Sequence, residues 1–424
     1  MGSKKQPSRK NLLSRFFAIL GPGLITGAAD DDPSGVATYT IAGAQLGTSL
    51  LWTAFITWPL MGCVQFMCAR IGMVTGRGLG GALRQRFPRW MLIVAAIALF
   101  CANSINVGSD LSGMADAAEM LTGINSHYFI FIFGVGIAWW TIRCRYYQIA
   151  MILKWLALVL FAYVITAFVV RPDWSSIVHD TFVPTWPKDH DTWQNLVAIL
   201  GTTISPYLFF WQASQEVEQE KAMGRRMLVE REGASRREIT HRKLDVGVGT
   251  FFSNFVMYFI ILTAAVTLHP HGVTQIETSK QAAEALRPLA GSFAYFVYTI
   301  GLIGVGLLAI PTLTGSAAYA FAETFHWREG LDLPFRGARA FYTVLMFSTA
   351  VGIAMDFLDI NPVKALFWTA VINGLLAPFL LVGILFVALD SKIMNGQPSS
   401  ILSRVIVSVL TLLMFGAAIG MFIF

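Results

Sequence analysis

The run Asp30-Asp31-Asp32-Pro33-Ser34-Gly35 lies near the middle of an otherwise apolar stretch over about residues 14–45. A membrane helix needs about 20 mainly apolar residues, and this stretch is long enough. Acids inside hydrocarbon cost about 2.5–3.5 kcal/mol each on insertion scales, so they demand a wet cavity or a cation. Pro33 lacks an N–H and clashes with a continuing helix. It also biases Asp32 toward extended backbone. With Gly27 and Gly35 on either side, the pattern predicts two half-helices parted by an unwound segment at 28–33, whose freed carbonyls face a cavity.

Away from this break the chain remains apolar. Its 424 residues are 55% hydrophobic and 13% charged, with a net charge of +6 and a mean hydropathy of +0.60. Soluble globular proteins carry about 25% charged residues, so a soluble enzyme, a disordered tail and a nucleic-acid binder are excluded. Cys63, Cys68, Cys101 and Cys144 fall in or beside apolar runs without CxxC spacing, and read as small buried hydrophobes. The basic start at Lys4, Lys5, Arg9 and Lys10 leads into apolar sequence that continues as structure rather than a cleaved signal.

Eleven spans are predicted, at about 14–45 (interrupted), 48–73, 90–122, 125–141, 146–171, 192–218 (interrupted), 244–269, 292–326, 340–358, 362–389 and 400–424. With the N-terminus in the cytoplasm, 26 of the 31 Lys and Arg lie on that side, as the positive-inside rule requires. An odd number of spans then places the C-terminus outside the cell membrane. A short tail, 1–13, precedes a single transmembrane domain, 14–424, with a basic cytoplasmic stretch at 219–243. That stretch reads either as an amphipathic helix or as a solvated loop.

The sixth span repeats the first. Gly201-Thr202-Thr203-Ile204-Ser205-Pro206-Tyr207 again sets a Gly ahead of a Pro with small polar residues between. The second break comes five spans after the first, so spans one to five and six to ten form halves of inverted topology, each opening with a broken helix. Matching interruptions of this kind point to a midplane binding site in an alternating-access transporter. Carbonyl ends facing a cavity beside carboxylates suit a cation. Asp-Pro and Ser-Pro are also ordinary N-cap pairs, so Asp32 and Ser205 have a plain capping alternative; burial of charge favours the ligand reading for Asp32.

Asn103, Asn106, Asp110 and Gly113 share one face of the third span. The stripe reads as the lining of an aqueous path, or as interhelical hydrogen bonding. Asp110 is the second acidic candidate. Asp116 and Glu119 lie nearer the outer end. Thr369 and Asn373 stand one turn apart in the tenth span, and Tyr207 is placed to gate or to bond a bound water. One of Asp30 and Asp31 is expected to face the vestibule.

At the two breaks the sequence resembles the Nramp family of divalent-metal transporters. The likeness runs from Gly21-Pro22-Gly23-Leu24 through Asp32-Pro33 to Gly43-Ala44-Gln45-Leu46-Gly47, and from Ile199-Leu200-Gly201-Thr202-Thr203 into Ser205-Pro206-Tyr207. Thr312-Leu313-Thr314-Gly315 is similar to a further family stretch. The resemblance implies an all-α integral membrane protein of the leucine-transporter-type fold, two inverted five-helix units plus an eleventh helix. It implies a divalent metal ion as substrate, with Asp32, Ser205, Ala29, Gly35, Thr202 and Asp110 as metal candidates. Asp31, Asn103, Asn106, Tyr207, Asn373 and Thr369 would line or gate the cavity. The lipid bilayer is the surrounding partner, no resident cofactor and no nucleic acid are expected, and a monomer is the expected state.

The departures are informative. The family motif Asp-Pro-Gly-Asn reads Asp32-Pro33-Ser34-Gly35, and Met-Pro-His reads Ser205-Pro206-Tyr207. Thioethers favour softer metals, whereas carboxylate, carbonyl and water suit Mg²⁺, Ca²⁺ and Mn²⁺. A wider all-oxygen site suits Mg²⁺ that keeps several waters, and the pattern looks like the Nramp-related magnesium transporters. The family's Asp-Leu-x-Glu in the third span reads Asp110-Leu111-Ser112-Gly113, and no His lies mid-span, so proton coupling is expected to be weak or absent; Asp110 leaves it open. An intramembrane enzyme lacks a second acidic cluster and the HExxH, GxSxG and Walker patterns. A channel would not need two matched broken helices. A proton-coupled Mn²⁺/Fe²⁺ symporter is the remaining alternative.

Overall fold

Proline and glycine dictate where the first helix stops. Helix α1 (Pro22–Asp30) ends at Asp31, and α2 (Pro33–Leu46) starts with Pro33 at its first position. Proline suits that position, where its missing N–H is not needed. Asp32 is extended, φ −70° and ψ 172°, as the residue before proline should be. The sixth span repeats the arrangement in α7 (His190–Thr203) and α8 (Pro206–Ala222), with Ile204 and Ser205 between them. Both breaks fall inside the segments that the sequence marks.

The computed structural model describes residues 21–143, 156–358 and 360–423. The tail at 1–13, the first residues of span one, Cys144 and the beginning of span five lie outside the described residues. Every regular element among the described residues is helical. In chain order, α2 is followed by α3 (Leu51–Thr75), α4 (Arg89–Thr122), α5 (Ser126–Arg143) and α6 (Phe161–Val170). After α8 come α9 (Arg236–Thr267), α10 (Ala294–Phe325), α11 (Arg339–Ala354), α12 (Pro362–Leu389) and α13 (Ile401–Ile423). Among the described residues, eight helical segments are long and apolar enough to cross a membrane. Their outward faces are apolar: Leu412 is 71% exposed, Phe379 65% and Phe347 60%. In water such a surface would drive association; in a bilayer it is solvated by acyl chains.

The broken helices sit at the centre. Helices α1 and α2 pack on α9, α7 packs on α12, and α8 packs on α3 and α10. Helices α4 and α10, the third of each five-span half, pack on each other most extensively. Several crossings are backbone against backbone. A Cβ on Gly27 would lie 2.3 Å from the Gly249 carbonyl oxygen, and one on Gly201 would lie 2.0 Å from that of Ala370. Only glycine permits such approach.

Two expectations are corrected here. The 219–243 stretch is neither a separate amphipathic helix nor a plain loop. Helix α8 runs to Ala222, a single turn covers Leu228–Arg231, and α9 begins at Arg236 behind a Ser235/Glu238 capping box. Its first charged turns extend the seventh span rather than connect to it. Cys101 is exposed on the apolar surface, unlike buried Cys68 and half-buried Cys63, so the reading of all four as buried hydrophobes does not hold for it.

Candidate functional site

Asp32 uses its two carboxylate oxygens differently. Oδ1 accepts from the Gly35 amide at 2.7 Å and from the Ser34 hydroxyl at 2.6 Å, which caps α2. Oδ2 is turned the other way, 3.3 Å from the Asn106 amide nitrogen of α4 and 3.5 Å from the Tyr207 hydroxyl of α8. The capping and ligand readings therefore apply to different atoms of one side chain. Tyr207 donates to the Ala29 carbonyl at 3.0 Å, so it bridges the two candidates from α1 and the break. Asp32 is 1% exposed and Tyr207 fully buried: the pocket is shut on both sides.

Asp110 lies one turn beyond Asn106 on α4, fully buried, with neither oxygen in a hydrogen bond. It is turned toward the Ser34 backbone amide without reaching bonding geometry. Thr202 also has a free buried hydroxyl. That oxygen would lie 3.2 Å from a Cβ on Gly35, so α2 and α7 meet at these two candidates. Ser205 does not cap α8; its hydroxyl donates back to the Gly201 and Thr202 carbonyls, at 2.9 and 2.6 Å. It satisfies carbonyls that the break sets free, and offers a cation a lone pair only.

Asp30 and Asp31 both face Ser253 of α9. The Ser253 hydroxyl donates to Asp30 and lies 3.4 Å from Asp31. Asp30 is fully buried with Oδ1 unpartnered, and Asp31 is 4% exposed. The expected choice between them is thus not made: both stand on the same side of the break. None of Asp30, Asp31, Asp32 and Asp110 is ion-paired to Lys, Arg or His among the described residues. A buried carboxylate without a counter-charge is costly, and four of them gather where α1, α2 and α4 meet. Among the described residues, no group of three or more His, Cys, Asp and Glu side chains is placed to hold one metal ion. With Asp30 and Asp31 turned to Ser253, the donor set on the Asn106 and Tyr207 side of the break is Asp32, with Asp110 one turn beyond Asn106, and neutral oxygens.

Two cavity candidates use their donors within the helix packing. Asn103 donates to the Leu313 carbonyl and the Ser316 hydroxyl of α10, both at 2.8 Å; it ties two helices together. Thr369 donates to the Leu366 carbonyl of its own helix at 2.8 Å, as a buried threonine in an apolar span commonly does. Asn373 is buried with an unpartnered Oδ1, next to Gly374 at the crossing with α7. Asp116 and Glu119 hold the starts of the segments that follow, accepting from the Ser279 and Ser126 amides at 3.1 and 2.7 Å.

Sequence reading missed Ser253 and a charged cluster made by Arg242, Asp245 and Glu216. The signal was present. Ser253-Asn254 is a polar pair inside an apolar run, and Asp245 stands at its very start. Intramembrane polar residues carry function by default.

Residues 23–424 match the family described as natural resistance-associated macrophage protein-like, Nramp. The chain belongs to the Nramp family. Among relatives of this Nramp chain is the divalent metal cation transporter MntH of Caldanaerobacter subterraneus subsp. tengcongensis. It is 25% identical over 420 residues, spanning 94% of this chain and 92% of that protein. The divalent metal cation transporter MntH of Erwinia tasmaniensis is 28% identical over 318 residues, 73% of this chain and 74% of the relative. In three dimensions the Nramp chain is similar to the Eremococcus coleocola manganese transporter, with a TM-score of 0.73 at 17% identity, covering 98% of this chain and 89% of the other. It is similar to Mhp1, a nucleobase-cation-symport-1 family transporter, with a TM-score of 0.56 at 16% identity over 95% and 90% of the two chains. These likenesses establish the leucine-transporter-type fold that the two breaks imply.

Proposed function

We propose that this Nramp chain carries hard divalent cations, Mg²⁺ and also Mn²⁺, across the cell membrane without proton coupling. The cation binds partly hydrated where the two broken helices meet, with Asp32 as its charge partner. The observation that carries this reading is the Asp32 Oδ2 atom. It is buried, not used by the cap that occupies Oδ1, and accepts only the long contacts from Asn106 and Tyr207, with the unpartnered Asp110 carboxylate one turn beyond Asn106 on α4. Every donor among the candidates is oxygen or amide, which suits a hard dication. Mg²⁺ usually keeps several waters and takes one or two carboxylates, which Asp32 and Asp110 supply while Asp30 and Asp31 turn to Ser253. The N-terminus and the 219–243 stretch are assigned to the cytoplasm by the distribution of Lys and Arg, and the chain acts as a monomer.

A proton-coupled Mn²⁺ symporter is the second reading. It is supported by relatives described as divalent metal cation transporters and by the unpartnered Asp110 carboxylate, which can take up a proton. Uptake into liposomes carrying a Mg²⁺-sensitive dye and an internal pH dye separates the two. The magnesium reading expects a Mg²⁺ signal, Mn²⁺ uptake suppressed by excess Mg²⁺, and no acidification. Mn²⁺ uptake indifferent to Mg²⁺ overturns the substrate assignment. Acidification that tracks metal entry establishes the symporter instead.

A further inference from the structure

Helices α3, α9 and α13 leave between them a groove of about 470 Å³. Trp58, Lys243 and Leu402 on its rim are exposed, so it opens to the outside of the bundle. Its walls are apolar over most of their length, with Trp58, Phe66 and Ile406 among them. One end differs. Arg70 near the end of α3, Lys243 near the start of α9, and Ser399, Ser400 and Ser403 around the start of α13 line it. Arg404, in the first turn of α13, stands close to Arg70. No carboxylate lines the groove. None of Arg70, Lys243 and Arg404 is ion-paired among the described residues. The two arginines clasp the turn ahead of α13. Arg70 Nη2 donates to the Gln397 and Pro398 carbonyls, both at 3.1 Å, and Arg404 Nε donates to that of Ser399. Arg70 Nε is buried without a partner among the described residues. The Ser399 hydroxyl, on a residue 2% exposed, also has none there, whereas buried hydroxyls are normally bonded. Ser400 accepts from the Ser403 amide at 3.3 Å, at a helix start whose dipole favours an anion.

We propose that this groove holds an anionic phospholipid, its phosphate against Arg70, Lys243 and the Ser399 hydroxyl and one acyl chain lying past Phe66 toward Trp58. Charge complementarity names the occupant: three cations without a counter-charge stand at the end of an apolar trough in a membrane protein. Basic pockets between membrane helices bind anionic headgroups in this way. The length also fits. From Arg70 to Trp58 along α3 is about 18 Å by helix rise, and one leaflet of hydrocarbon is about 15 Å deep. Residues 1–20 and 144–155 contain no Asp or Glu, so those segments do not supply the anion. The lipid ties α13, the helix outside the two inverted halves, to the second span of each half. The proposal needs the membrane-spanning fold and does not depend on which cation is carried.

Native mass spectrometry of the full chain tests this, with dioleoyl phosphatidylglycerol and dioleoyl phosphatidylcholine titrated in the same detergent. Phosphatidylglycerol should be retained as one lipid per chain and bind at least about tenfold tighter than phosphatidylcholine. Each cation near a headgroup contributes about fivefold. Lys243→Gln should therefore weaken phosphatidylglycerol about fivefold and leave phosphatidylcholine unchanged, and Lys243→Arg should restore the difference. Gly247 lines the groove with nothing within 4 Å of a Cβ placed there. Gly247→Phe fills the acyl path while keeping every cation, and should cost about tenfold or more in phosphatidylglycerol binding. Should Gly247→Phe not fold, Lys243→Glu takes its place, with an expected loss of about 25-fold. Equal retention of the two lipids, or wild-type phosphatidylglycerol binding in either folded variant, overturns the proposal. Displacement by glycerol 3-phosphate at the concentration of the lipid assigns the site to a free anion and also overturns it. So does a lipid-free dimer that Gly247→Phe abolishes, which assigns the groove to a second copy of the chain.

Discussion

At Asp32 the two oxygens have separate duties, so substitutions there can separate capping from charge. Asp32→Asn keeps an acceptor for the Gly35 amide and removes the charge. Uptake and Mn²⁺ binding should fall to background while thermal stability stays near wild type. Asp32→Ala removes the cap as well and should lose a further 0.5–2 kcal/mol of stability, roughly, by thermal melting in detergent. Normal uptake in either variant would place the site elsewhere. Ser205→Met sets a thioether at the end of α7, and competition assays should then show preference moving toward softer ions such as Mn²⁺ over Mg²⁺. Asp32 was legible because one residue carried the whole case: a charge, a following proline and an apolar setting. Asn103 and Thr369 were placed on the right helices, yet their hydroxyl and amide groups turn to Leu313, Ser316 and Leu366. Spacing assigns a face, and only the neighbour decides whether that face is wet. Ser253 stayed hidden because its partners, Asp30 and Asp31, lie 223 and 222 positions away.

Among elements, the glycine crossings decide how the half-helices sit. Gly27→Ala would drive a methyl group into the Gly249 backbone, and overpacking of this kind costs about 1–3 kcal/mol. The melting temperature should fall accordingly. Gly247→Ala, on the same helix α9 with nothing within 4 Å, should be neutral or gain up to about 1 kcal/mol from helix propensity. Equal effects at the two positions would contradict the close approach of α1 to α9. The breaks themselves were readable to within a residue or two, since proline and glycine act locally. The start of α9 was not: it lies at Arg236, eight residues before the apolar window opens. An apolar window measures the depth of hydrocarbon, whereas Ser235 and Glu238 set where the helix begins, beyond the bilayer.

Across the whole molecule, the two inverted halves and the order of spans were legible, because span number and matched breaks need no tertiary knowledge. The clips between connecting segments were not. Thr48, just after α2, donates to Asp180 in the short helix Trp174–Phe182. That hydroxyl, with His179 beside it, holds the Asp180 carboxyl below its ordinary range. A depressed carboxylate stabilises the fold above its unfolded value, and the contribution is lost as pH falls through the folded value. Asp180→Asn should therefore lower the melting temperature by a constant amount from pH 7 down to about 4.5, with the gap closing below about 3.9. A gap that persists or widens below about pH 3.9 would refute the clip.

Gly23 and Gly27 meet Gly249, and Gly201 meets Ala370 and Gly374, with bare backbone on both sides. Interdigitated side chains would act like cog teeth, fixing each half-helix at one angle until several rotamers change together. Smooth peptide surfaces instead behave as a plain bearing. Tilting over a few degrees then meets little friction from the contact itself, and the resting angle is left to whatever polar ties grip the rod ends.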